Sequence, residues 1–227
     1  MVVTGKVFRL VEPLPLEEIA ARLEGYRVER VYEEDERKFT LITEVVDLAA
    51  GEAMVSGVYA EDYVMHVFHR GEVYPVPKTL SAPFGFMEHE GRVFLTVLEK
   101  KHRANRIAKR LGLVLYGEKG RISGVRIPPE RLAEFHTRNP RDSKVIYFDN
   151  LDVANVTKVA IYGPDLIETE LFKEYQRRGD LWYIVARSER YGYVVGITRD
   201  GCVVVFNTND KNRYLEYVRS EVLPMAL

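Results

Sequence analysis

This chain predicts an α+β protein: a mainly antiparallel sheet with helices packed on one side. Three observations predict it. Short β-branched and aromatic runs recur between tight turns, as in Phe39–Leu48, Met54–Tyr59, Tyr63–Phe68 and Cys202–Asn207. Between them stand stretches with apolar residues at helical spacing, such as Ala104, Ile107, Ala108 and Leu111. Glu90-Gly91 and Arg199-Asp200-Gly201 are hairpin turns, which join antiparallel strands.

In order, Lys6–Glu12 is a strand ended by Pro13 and Pro15. Leu16–Glu24 is a helix with Ile19, Ala20 and Leu23 on one face and Glu17 and Glu18 at its positive end. Glu33–Lys38 is an exposed, mostly acidic turn. Ala60-Glu61-Asp62 separates two strands, and Pro75 and Pro77 mark an edge strand or an exit from the sheet. Phe84–Met87 and Val93–Leu98 form a hairpin. Lys101–Leu111 is a helix capped by Gly112, followed by strands Leu113–Tyr116 and Gly124–Ile127 around the turn Gly117–Gly120. Pro128-Pro129 opens the helix Glu130–His136.

Asn139–Ser143 is rich in turn formers and divides the chain into expected domains 1–139 and 140–227. Beyond it come strands Lys144–Phe148 and Val156–Tyr162, joined through Asp149–Asp152. A helix Leu166–Arg178 capped by Asp165, strands Leu181–Arg187 and Tyr191–Thr198, and a last helix capped by Asn209 complete the chain. Displaced by 110 positions, Glu90-Gly91 falls on Asp200-Gly201 and Ala104, Ile107 and Ala108 fall on Tyr214, Tyr217 and Val218. The shared grammar is turn, strand, helix. It predicts two related ββα-containing halves.

Composition bounds the function. The chain has 227 residues with 46% apolar residues, enough for a real core. The single cysteine, Cys202, forms no intrachain disulfide, which fits a reducing cytoplasm. The start has no apolar signal core and no apolar run reaches membrane-spanning length, so a cytosolic protein without membrane contact is expected. Gln176 is the only glutamine among many charges, a composition expected of a thermophile, in which surface charges form ion-pair networks.

Net charge is −1, yet Val93–Arg131 carries ten basic against three acidic residues, leaving −8 for the remainder. Lys100, Lys101, Arg103, Arg106, Lys109 and Arg110, with Lys119 and Arg121 from the adjacent turn, are the expected nucleic-acid-binding residues, because such cations neutralise a phosphate backbone. The competing reading is an ion-paired surface, with the Glu33–Glu36 turn as one source of acid. Tyr162, Trp182, Tyr183, Tyr191 and Tyr193 are candidates for base stacking. Alternation through Trp182–Val185 makes both strand faces apolar, so burial is expected instead.

Catalytic signals are sparse. There is no nucleotide-binding loop or metal-binding cysteine pattern, and no cofactor is expected. Glu99-Lys100-Lys101 has the acid-x-lysine form of half a metal-dependent nuclease site, but it lacks a partner carboxylate with a distinguishing context. His66 and His69 fall on opposite strand faces, poorly placed for a shared metal. Asp149, Asp152 and Asp165 read as turn and cap residues. The expected function is non-catalytic binding of DNA or RNA. The alternatives are a homo-oligomer or an interaction module that docks the basic face on an acidic protein, and a nuclease using Glu99 and Lys101.

Overall fold

β1 (Val3–Leu10) sends Val7 to one side and Phe8 and Leu10 to the other, and all three are buried. A strand apolar on both faces needs cover on both, and the fold is built around that requirement. The computed structural model describes residues 2–34, 36–140 and 144–226. Asp35 of the predicted acidic turn and Arg141–Ser143 of the predicted boundary lie outside them.

After β1 the chain forms α1 (Leu16–Leu23), β2 (Arg27–Glu34), β3 (Arg37–Ala50), β4 (Met54–His69), β5 (Glu72–His89), β6 (Arg92–Val97) and α2 (Lys101–Tyr116). It continues through β7 (Ile122–Gly124), α3 (Pro129–Arg138), β8 (Val145–Val153), β9 (Val156–Tyr162), α4 (Glu170–Arg178), β10 (Asp180–Arg187), β11 (Val194–Thr198), β12 (Cys202–Val205) and α5 (Lys211–Tyr217). The twelve strands among the described residues make one antiparallel sheet, in the order β2-β3-β4-β5-β6-β1-β12-β11-β10-β8-β9, with β7 also pairing β1. An antiparallel α+β architecture is thus observed. β1 joins β6 on one edge and β12 on the other, so one sheet carries strands from both sides of residue 139.

The helices do not share one side, as expected, but divide between the two faces. α1 and α2 cover Phe8, Phe84, Phe86, Leu95 and Val97. α3, α4 and α5 cover Val7, Phe94, Phe148, Ile184, Val203 and Val205. Strand alternation is the reason, since Phe94 and Leu95 are neighbours with opposite faces, both fully buried.

Several local expectations change. Ala60–Asp62 is no turn: β4 runs unbroken and pairs β5 from Met54↔Met87 to His69↔Glu72. Pro75 and Pro77 lie in that ladder, on a stretch of β5 that β6 does not reach, so their missing N–H groups fall on an edge. β2, unassigned from sequence, pairs β3 in full. Gly112 does not end α2, which continues through Leu113–Tyr116 to Gly117 in the left-handed region. Asp149–Asp152 lies within β8. Thr169 caps α4 in place of Asp165, and Asp210 caps α5 in place of Asn209. No helix among the described residues is long and apolar enough to cross a membrane.

Candidate nucleic-acid interface

α2 forms because Ala104, Ile107, Ala108, Leu111 and Leu115 make one buried stripe on the sheet. At about 100° per residue, the cations then fall on separate flanks. Lys101 shares a flank with Asn105, facing β1. Arg103, Arg106 and Arg110 lie on the other flank, toward β4. Lys109 lies near the crest between them. Lys119 and Arg121 follow the far end of the helix, about 24 Å from Lys100 for a helix of this length. The eight residues therefore do not form one compact patch.

Half of them are engaged within the chain. Lys101 pairs with Asp200, Arg103 with Glu99 at 3.3 Å, Arg106 with Glu61 at 3.0 Å, and Arg121 with Glu12 at 3.1 Å as well as with Glu118. Lys100, Lys109, Arg110 and Lys119 have no ion-pair partner among the described residues. The acidic turn named from sequence is not the source of these partners: Glu33 pairs with Lys38 and Glu34 with His66. The β2–β3 ladder holds both acids on their own hairpin.

On its β1 flank α2 borders a sheet surface that carries no helix. Lys6, buried under α2, donates to Asn105 Oδ1 at 3.0 Å and sits over the Phe8 ring at 5.3 Å. Lys6 is the register partner of Cys202. The row then continues through Thr198 and Tyr183 to Tyr147 and Ala160. The adjacent row runs Thr4, Val204, Gly196, Val185, Val145, Tyr162. Both rows face the side opposite α3, α4 and α5, and most of their side chains are only partly buried.

Four aromatic side chains gather on this surface. Tyr147 stacks on Trp182, with ring centres 5.9 Å apart and planes at 13°, and meets Tyr183 and Tyr162 edge-on at 5.4 and 6.3 Å. The alternation expected for Trp182–Val185 fails here because the β8–β10 register shifts between Leu181 and Tyr183. The extra residue, Trp182, turns to the same surface as Tyr183 instead of into the core. Gly196 lets Tyr183 lie flat, since a Cβ there would come within 2.5 Å of its hydroxyl. The Tyr147 and Tyr162 hydroxyls bond at 2.9 Å, and that bond holds the Tyr147 phenol above its usual range. Tyr162 is 66% exposed, while Tyr147, Trp182 and Tyr183 are half-buried. Tyr191 and Tyr193 lie elsewhere, packed against Tyr217 of α5.

Cations surround the cluster. Lys158 sits over Trp182 at 5.3 Å from the ring centre. Trp182 also forms one wall of a cleft of about 370 Å³ with Lys101, Val125, Arg126, Arg199 and Asp200. Arg199 is fixed by a two-pronged contact to Asp149 at 2.9 and 2.8 Å and by Asp180 at 3.4 Å. Burial alone would raise the Asp200 carboxyl, but hydrogen bonds from Lys101 and Thr198 leave it below its usual range. Arg126 is exposed and has no ion-pair partner among the described residues.

No family model matches this chain, and no curated protein matches its sequence. Its chemistry rests on its own residues. Among the described residues no cluster of three or more His, Cys, Asp or Glu side chains could hold a metal. Glu99 is turned to Arg103 and to the Lys100 amide at 2.7 Å, and Lys101 to Asp200. Sequence reading missed Tyr147, Lys158, Arg126 and Arg199. Tyr147 did leave a trace, standing between the core residues Ile146 and Phe148 and so on the opposite face.

Proposed function

We propose that this protein binds single-stranded nucleic acid on its open sheet face. The observation that carries this reading is the half-exposed cluster of Tyr147, Tyr162, Trp182 and Tyr183 beside the cationic cleft. Unpaired bases stack on aromatic rings whatever their identity, which fixes affinity without fixing sequence. A duplex hides those base faces, so a sheet of rings favours a single strand. Lys158 and Arg126 are placed to meet the backbone, with Lys101 and Arg199 behind them as partly neutralised cations. α2 contributes the flank that carries Lys101, and Lys100, Lys109, Arg110 and Lys119 add a diffuse positive field.

Trp182 is the only tryptophan, so its fluorescence reports on this surface alone. Titration with short single-stranded oligonucleotides is expected to quench it saturably, and duplexes of the same length much less. Tyr162→Ala should weaken binding by about 1–3 kcal/mol, the worth of one stacked base. Unquenched fluorescence together with no retention of the strand on the protein would remove the reading.

A basic face docked on an acidic protein surface, or on a second copy, draws on Lys100, Lys109, Arg110 and Lys119, which have no ion-pair partner among the described residues. A monodisperse dimer that splits when Lys109 and Arg110 are reversed to Glu, with no strand binding, would select that alternative.

We also infer an internal ββα duplication. In its support, β5–β6–α2 and β11–β12–α5 flank β1 on opposite edges, with β6 and β12 both antiparallel to it and the two helices on opposite faces. A twofold rotation along β1 would exchange two such units. Superposing β6 on β12 must then bring Ala104 and Ala108 onto Tyr214 and Val218. Helices that diverge would leave the likeness to chance.

A further inference from the structure

On the opposite flank of α2, away from the aromatic surface, a second recess opens between the helix and the inner face of β2–β4. It encloses about 220 Å³ and is lined by Tyr26, Val28, Arg30, Thr43, Tyr59, Glu61 and Arg110. Register brings these residues together: Val28 pairs Thr43, Thr43 pairs Glu61, and Val45 beside them pairs Tyr59. Arg110 comes from α2 above.

Three features distinguish this recess from an ordinary surface dip. Tyr59 is fully buried, and its hydroxyl has no hydrogen-bond partner. A phenol left without a partner costs stability, so an unfilled position at such a group points to a ligand. Arg30 and Arg110 have no ion-pair partner among the described residues. The single carboxylate of the lining, Glu61, is in ion-pair contact with Arg106 at 3.0 Å, and its buried Oε2 accepts no hydrogen bond. Arg30, Arg106 and Arg110 against Glu61 leave the recess with an excess of two positive charges. Burial also pushes the Tyr59 phenol well up, which keeps it a donor at any physiological pH.

We propose that this recess binds a phosphate group, with the guanidinium groups of Arg30 and Arg110 and the hydroxyl of Tyr59 as its donors. Arginine's planar fork matches two phosphate oxygens at once, and a phenol O–H can take a third. The volume admits a phosphate with a small organic substituent but not a base stacked beside it. The phosphate could be free, carried by a small ester, or the 5′ end of a strand. This site is separate from the aromatic surface and stands or falls without it.

Calorimetric titration of the full chain with inorganic phosphate and with ribose 5-phosphate tests it. The third arm compares a 5′-phosphorylated with a 5′-hydroxyl oligonucleotide in a Trp182→Phe background, where stacking is altered. Saturable binding of phosphate or ribose 5-phosphate, or tighter binding of the 5′-phosphorylated than of the 5′-hydroxyl strand, is expected, and the tightest arm identifies the source. Tyr59→Phe, which removes only the hydroxyl, should weaken it at least about ten-fold, and Arg110→Ala more. Lys211→Ala, an exposed cation on α5 outside the recess, should leave it unchanged. Absence of binding in the first two arms, with no preference for the 5′-phosphate in the third, overturns the proposal. So does binding that Tyr59→Phe and Arg110→Ala leave intact, or that Lys211→Ala weakens equally. Loss of oligonucleotide quenching at Trp182 without loss of phosphate binding would count against the aromatic surface and not against this recess.

Discussion

His136 shows how a single buried residue sets the response of the fold to acid. Its imidazole is fully buried in α3 and lies 5.2 Å from the Phe172 ring of α4. Burial pushes its pKa from 6.5 down to about 4. Above pH 6.5 it is neutral both folded and unfolded and contributes nothing to the pH dependence. As pH falls from 6.5 toward 4, the unfolded chain takes up a proton that the folded chain refuses, and stability falls. The full loss is about 3 kcal/mol. Urea unfolding at pH 7.5 and pH 4.5 is expected to show this part of the decline in the natural protein and not in His136→Leu. Equal declines in the two proteins would mean that the histidine is not the sensor. Trp182 makes the complementary point about legibility. Its type and neighbours read as buried strand, and only the register shift at Leu181/Tyr183 turns it to the surface.

At the scale of the element, α2 was legible in its apolar stripe and not in its length. Gly112 is a natural stop by type, but it lies inside the helix because Leu111 and Leu115 continue the buried stripe across it. A Cβ on Gly112 would meet Ile122 no closer than 3.5 Å, an ordinary contact. Gly117, with φ of 71°, is the residue that ends the helix. The two glycines should therefore answer substitution with opposite signs. Gly112→Ala is expected to stabilise by about 0.5–1 kcal/mol, by removing backbone freedom from the unfolded chain. Gly117→Ala should destabilise by about 1 kcal/mol, by forcing a side chain into the left-handed region. Thermal unfolding of the two variants checks both. Destabilisation by Gly112→Ala would show that the helix is under strain there. The basic face of α2 illustrates a related limit. Counting charges found the cations, but Glu61 and Asp200, the partners of Arg106 and Lys101, come from β4 and the β11–β12 turn, and Glu12, the partner of Arg121 beyond the helix, follows β1, all remote in sequence.

At the scale of the whole molecule, ionic strength separates two accounts of nucleic-acid binding. A surface made of all eight sequence-predicted cations would give a slope of log K against log salt of about −6, at roughly −0.7 for each phosphate neutralised on a single strand. The open sheet face offers two free cations, Arg126 and Lys158, and two that already have acidic partners, Lys101 and Arg199. The expected slope is then shallow, between about −1.4 and −2.8. Fluorescence titrations at several salt concentrations measure it. A slope near −6 would move the binding surface back to the length of α2.

Periodicity and turn chemistry in the chain determined by themselves an antiparallel α+β protein, its hairpins at Glu90-Gly91 and Asp200-Gly201, and the buried stripe of α2. These are local properties, set within a few residues by the alternation of strands, the pitch of helices and the freedom of glycine. Tertiary structure alone decided three things: that helices cover both faces of the sheet around β1, which distant carboxylates answer the cations of α2, and which rings share an uncovered surface. Each depends on pairing between distant segments, where one shifted residue in β10 exchanges core for surface.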